Sequence, residues 1–362
     1  MNIVILGAGL MGRLLACTLA RAGHTVTVYE ATEARNRSAA AFAAAAMLAP
    51  LAESAVADDL VVRLGQHGLT RWPSLIAALD APVFFQQQGT LVVWHRQDHA
   101  DAQRFGQLLT ATNQRLPELP KPQTLDAAGL DRLEPGMGAR FAQGLYLPGE
   151  GQLDNHQLMD ALLAQMQTLR VALHWCSPRS PTDFSPGQTG QPDWVLDCRG
   201  LGAQPQWSAL RGVRGEVALL HAPNVRLSRP TRLIHPRYPV YIAPKARGIF
   251  KVGATEIESD DTSPVSVRSC LELLSAAYTV DSGFGEARII ELAAQCRPAL
   301  PDNRPAVRWL GTRTLQVNGL YRHGYLMSPA LHDVVLELMD DGSSPLAQRW
   351  NLPVGHTEGI PA

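Results

Sequence analysis

The chain carries little net charge, few lysines, few cysteines and no long apolar run, and each shortage removes a class of function. Its 362 residues have a formal net charge of −1, and charged residues make up 18%. A protein that neutralises phosphates needs a basic face, so neither nucleic acid nor a strongly acidic protein is expected as a partner. Lys121, Lys245 and Lys251 are the only lysines. The other cations are arginines, which with the abundant Ala and Pro read as compositional drift, most of them destined for the surface. The five cysteines (Cys17, Cys176, Cys198, Cys270 and Cys296) are scattered and odd in number. There is no C-x-x-C and no other metal-ligand spacing, so no metal is expected, and the pattern suits a reducing, cytoplasmic compartment. The longest apolar run, 39–52, is too short to cross a membrane and contains Pro50. The apolar N-terminus has no basic flank of the kind that marks a secretion signal.

What is present begins at once. An apolar strand over 1–6 leads into Gly7-Ala8-Gly9-Leu10-Met11-Gly12 and a helix that Gly23 closes. A second strand, 25–29, ends at Glu30. This is a dinucleotide-binding fingerprint with its acid at the right distance. Gly7 allows the tight turn, Gly9 admits a pyrophosphate, and Gly12 lets helix and strand approach. The helix start offers unpaired N–H groups to phosphate, and Glu30 can accept from ribose hydroxyls while repelling a 2′-phosphate. The fingerprint alone leaves FAD and NAD both open.

The length predicts two domains. Helices are expected near 60–79, 98–111, 125–133, 155–169 and 266–278. Strands are expected near 84–94, 171–175, 194–197, 215–221 and 288–295, with a hairpin over 239–254. The run 39–49 reads either as an alanine helix in the core or as a wall of small side chains against which a flat ligand lies. Near the end, 319–327 leads to Ser328-Pro329, placed as N-cap and first helical residue. α/β units at the start, middle and end are interrupted by two strand-rich stretches. The expected fold is therefore α/β: a Rossmann-like domain from 1–80, 150–210 and 292–362, with an inserted α+β substrate domain from 81–149 and 211–291 containing an antiparallel sheet. Such splitting favours FAD over NAD.

Six ordered motifs spread over the chain strengthen this. They are 7–12, Ala43–Pro50, Val213-Arg214-Gly215-Glu216, Val252-Gly253-Ala254-Thr255, Arg297-Pro298-Ala299-Leu300-Pro301-Asp302 and Tyr321-Arg322-His323-Gly324. Together they resemble the glycine oxidase branch of the D-amino acid oxidase family, the branch associated with thiamine synthesis. The resemblance implies non-covalent FAD touched by Leu10, Met11, Glu30, Ala31, Ala45, Ala46, Met47 and the loop Leu320, Tyr321, Arg322, His323, Gly324, Tyr325 and Leu326. Gly200, after the strand at 194–197, is expected at the same nucleotide sheet. Arg297 matches the arginine that takes the substrate carboxylate, Arg322 a second arginine near substrate and flavin, and Tyr241 a tyrosine near the carboxylate. The implied reaction is oxidative deamination of glycine or a small amine or D-amino acid. Hydride passes to flavin N5, O2 is reduced to hydrogen peroxide, and the imine is hydrolysed to oxo acid and ammonia. It needs no dedicated acid or base, so His323 and His235 read as loop histidines.

Two features depart from the pattern. Glu256 follows Gly253-Ala254-Thr255 where a well-known member carries Met, so it is either a solvated strand end or a group that alters substrate preference. Ala40-Ala41-Phe42 has no Ser or Thr for cofactor phosphates. Cys296, beside Arg297, reads as a buried thiol rather than a flavin attachment. Two other readings stay open: a D-amino acid dehydrogenase that reduces a quinone, and a non-catalytic nucleotide-binding protein. A homo-oligomer is compatible with either.

Overall fold

The computed structural model describes residues 1–234 and 240–356; His235 lies outside the described residues. Among these residues the strands form three sheets. The first grows from the opening strand, Asn2–Leu6, whose buried Ile-Val-Ile-Leu run suits a strand covered on both faces. It pairs in parallel with Thr25–Tyr29 on one side and Trp194–Asp197 on the other. Trp194–Asp197 continues in parallel to Thr314–Asn318, and Thr25–Tyr29 to Ala172–His174. Ala306–Trp309 and Val354–His356 complete a seven-stranded sheet, so the start, middle and end of the chain meet in it. The first helix, Leu10–Arg21, ends where Gly23 takes φ +87°. The N–H groups of Gly23 and His24 bond back to Ala20 and Leu19, which satisfies the last carbonyls.

The second sheet has nine strands and is mostly antiparallel. Its spine is the long pair Arg211–His221 with Arg288–Ala299. The expected hairpin is present as Val240–Pro244 against Ile249–Gly253. Helix Val267–Val280 buries Leu273, Ala276, Ala277 and Val280 in the core on this sheet. A small third sheet joins Met47–Leu48, Gly151–Leu153 and Phe85–Gln86.

Two sequence expectations change, and one open choice closes. The boundary at 291/292 falls inside the strand Arg288–Ala299, which stays in register with Arg211–His221 to its end. Residues 292–299, Arg297 included, therefore sit in the second sheet. The alanine run takes the non-helical of its two readings: a short 3-10 turn, Ala40–Ala43, followed by irregular chain to Met47–Leu48. Finally, the last long helix starts at Gly324, not Ser328. Pro329 lies inside it and cannot bond the Tyr325 carbonyl. The indole N–H of Trp72 donates to that carbonyl at 2.8 Å instead, so the helix passes through the proline without an orphaned acceptor. Ser328 is buried and its hydroxyl has no partner among the described residues, so it does not cap the helix. The two helices Asp59–Ala77 and Gly324–Asp341 can approach because Gly68 faces Leu326: a Cβ there would come within 2.1 Å of the Leu326 carbonyl oxygen.

Candidate active site

A cavity of about 440 Å³ opens where the parallel strands end. It is lined by Gly7 and Gly9 after the first strand, Glu30 after the second, Gly200 after Trp194–Asp197, and Asn318 at the end of Thr314–Asn318. This is the crevice at the carboxyl ends of strands where open α/β sheets bind ligands. It runs past Ala39–Met47 to Arg297, Arg322, Tyr241 and Glu256 on the other side.

The end near the glycine turn fits a dinucleotide. Gly7 takes φ +94°, and a Cβ on it would meet the Cys198 carbonyl oxygen at 2.7 Å. A Cβ on Gly12 would stand 2.0 Å from the Gly7 carbonyl oxygen, whereas Gly9 has nothing within 4 Å and leaves room for a phosphate. The first helix has no side-chain cap and no acid in its first turn, so its leading N–H groups are free for an anion. Glu30 is drawn onto the turn, accepting from the Ala8 N–H at 2.7 Å and the Thr32 N–H at 3.2 Å. Residues 40–42 have no hydroxyl, but those of Thr32 and Ser38 lie 3.2 Å apart and both residues line the cavity. Arg13 is buried, not a surface arginine, and donates to the Ala8 and Met159 carbonyls at 2.7 Å each.

Most residues expected at the cofactor do line this cavity: Gly7, Gly9, Leu10, Met11, Glu30, Ala45, Ala46, Met47, Gly200, and Leu320 through Tyr325. Three do not. Gly12 is spent on packing against Gly7, Ala31 is exposed, and Leu326 is buried against Gly65 and Gly68.

At the opposite end two arginines have different surroundings. Arg322 is bridged between carboxylates: its Nε lies 3.2 Å from Glu53 and its Nη1 2.7 Å from Glu256. Burial works against its charge, but Glu53 and Glu256 outweigh it and raise its pKa above the usual guanidinium range. Among the described residues Arg297 donates only to backbone carbonyls, Thr255 at 3.1 Å and Arg214 at 3.4 Å. Burial, and then the neighbouring Arg322 charge, push its pKa down to about 10. It is a cation that would gain from an anionic ligand. Its guanidinium lies flat on the next strand because Gly215 has no side chain: a Cβ there would be 2.1 Å from Arg297 Nη2.

Glu53 organises the buried side of this end. It accepts from the Tyr241 hydroxyl at 2.6 Å and pairs with His323 Nε2 at 2.9 Å. Burial raises its pKa, but Arg322, His323 and Arg232 overcome this and hold it below the ordinary carboxylate range. Arg232 also donates to the Tyr241 hydroxyl at 3.0 Å. Tyr241 therefore lines the cavity with its hydroxyl already engaged. His323 is not a surface loop histidine: it is buried, its pKa is lowered chiefly by burial, and Glu53 holds its Nε2. Glu256 accepts from the Tyr321 hydroxyl at 2.6 Å as well as from Arg322, and is not merely a solvated strand end. Cys296 is buried, its Sγ near the Ser259 and Asp261 carbonyls, and burial raises its pKa.

Sequence reasoning missed Glu53, Arg232 and the packing role of Gly215. Gly215 had a signal, a glycine inside a strand pattern, which marks close backbone approach. Glu53, three residues after Pro50, looks like an ordinary first-turn acid.

The family model described as FAD dependent oxidoreductase matches residues 2–338. A putative thiamine biosynthesis oxidoreductase ThiO from Rhizobium etli is 38% identical over 350 residues, covering 95% of this chain and 98% of that one. Among solved structures, iminodiacetate oxidase from Chelativorans sp. superposes with a TM-score of 0.77 at 22% identity, covering 98% and 99% of the two chains. Glycine oxidase from Bacillus cereus has a TM-score of 0.77 at 19% identity, covering 95% and 96%. These two show that the fold is shared.

Proposed function

The chain belongs to the FAD dependent oxidoreductase family, and from this premise we propose that it is an amino acid oxidase acting on glycine or another small amine-bearing monocarboxylate. One observation carries the reading: Arg297, a half-buried cation whose hydrogen-bond partners among the described residues are two backbone carbonyls, lies in the cavity that begins at the dinucleotide turn. In this reading the seven-stranded sheet holds the cofactor and the nine-stranded sheet presents the substrate.

FAD, when bound, supplies the acceptor for the hydride and returns the electrons to O2. The chain's own residues bind and orient. The planar fork of Arg297 matches a carboxylate bidentately and thereby sets the direction of the α-carbon. Glu53 fixes Arg322, Tyr241 and His323 at once, so the wall beside the substrate is rigid before it arrives. No side chain is assigned as general acid or base, since His323 Nε2 is held by Glu53. The flavin site is assigned as non-covalent, with Cys296 buried as a thiol against two carbonyls.

The likeness to the Rhizobium protein supports a place in thiamine biosynthesis. Cytoplasmic residence is proposed from the cysteines, all five of which are free. No helix among the described residues is long and apolar enough to cross a membrane. The test is peroxide formation by the yellow holoenzyme with glycine, sarcosine, D-alanine and D-proline. Peroxide matching oxo-acid formation is expected. Reduction of a quinone or dye without peroxide would move the assignment to a dehydrogenase, and inertness toward every amine would end it.

A further inference from the structure

At the substrate end the cavity is lined by two cations, Arg297 and Arg322, and two carboxylates, Glu53 and Glu256. Both carboxylates are on Arg322. The second one is unusual. Glu53 is buried, but Glu256 is partly exposed, with 38% of its side-chain surface accessible. It is fixed there by two short bonds, 2.6 Å from the Tyr321 hydroxyl and 2.7 Å from Arg322 Nη1. Its negative charge also acts on Arg297. A second arginine in a carboxylate-binding cavity would ordinarily be a second anion site, and here Glu256 occupies it.

We infer that Glu256 is a specificity-determining residue that restricts the site to amines bearing a single carboxylate and excludes dicarboxylic amines. The inference rests on the amino acid oxidase reading above. The first carboxylate of any substrate has Arg297 to itself. A second carboxylate would find Arg322 already bonded at Nε and Nη1, and would have to displace Glu256 against like-charge repulsion. Specificity of this kind comes from a built-in repulsive element rather than from an added attraction. A substrate with a neutral or absent side chain meets no such cost. Glu256→Gln keeps the shape and can still accept from Tyr321, but removes the charge and loosens Arg322.

The experiment uses the holoenzyme, wild type, Glu256→Gln and Glu256→Met. Turnover is measured with sarcosine and iminodiacetate, which differ by one carboxylate. Binding of acetate and malonate is measured independently by perturbation of the flavin absorbance, which needs no turnover. Wild type should prefer sarcosine over iminodiacetate and acetate over malonate. Both preferences should fall by about tenfold or more in the variants, the ratio that corresponds to ~1.4 kcal/mol. Preferences unchanged within about twofold in both variants, or a wild type that binds malonate as well as acetate, would overturn the assignment. A wild type inert to all amines that still discriminates malonate from acetate would defeat the oxidase reading while sustaining the charge filter.

Discussion

Replacing Arg297 with alanine separates binding of a carboxylate from support of the fold. Among the described residues its guanidinium hydrogen-bonds only to the Thr255 and Arg214 carbonyls, at 3.1 and 3.4 Å. The substrate carboxylate would supply the charge-assisted pair it is missing. Bonds to charged groups contribute about 1.5–3 kcal/mol each, so a two-bond fork lost from this half-buried site costs about 3–6 kcal/mol of binding, or roughly 10²- to 10⁴-fold in kcat/KM. Stability should respond little, within about 1 kcal/mol, because the fold derives scant benefit from a half-buried charge with neutral hydrogen-bond partners. Arg322→Ala is the contrasting variant. It leaves the buried Glu53 without its guanidinium, and breaking one side of a buried pair costs about 3–5 kcal/mol. The assay is peroxide formation from glycine across substrate concentration, with flavin absorbance to verify cofactor content and thermal unfolding to compare the variants. Arg297→Ala retaining kcat/KM within tenfold of wild type would refute the carboxylate role. Loss of as much stability as in Arg322→Ala would refute the argument that its partners are energetically minor.

Gly215→Ala should reduce kcat/KM by about tenfold or more, mainly through KM, because the new methyl displaces the Arg297 guanidinium 2.1 Å away rather than the backbone; a variant with unaltered KM for glycine would exclude this. Glu53 titrates below its ordinary range in the folded protein. Its stabilisation is therefore complete above the unfolded-state value near 4.5 and is lost as pH falls below it. Thermal melts of wild type should drop on acidification below that point, and Glu53→Gln should flatten this limb; an equally steep acid limb in the variant would contradict the assignment.

The legible parts of the molecule were local. The glycine turn, its helix and Glu30 fall within one strand–helix–strand unit, where spacing along the chain sets spacing in the fold. Trp194–Asp197 has the bounds its apolar run implies, since a buried parallel strand shows as continuous hydrophobicity. Arg297 and Arg322 were found through ordered motifs, as was the alanine wall. Less legible was where regular structure would continue. The strand ending in Ala299 passes through Arg297-Pro298 because Arg211–His221 stays in register beside it. The final helix passes Pro329 because Trp72 supplies the missing donor.

The sequence by itself determined a dinucleotide fingerprint at the N-terminal turn and singled out Arg297 and Arg322 in two motifs near the C-terminus. Only the tertiary structure decided which arginine is available. Glu53 lies 188 positions from Tyr241 and 270 from His323, and Glu256 lies 66 from Arg322. An ion's partner is a matter of distance in space, and Coulombic energy has no memory of distance along the chain. Two arginines that look alike in sequence thus become, on folding, one ion held by two carboxylates and one cation held by backbone carbonyls.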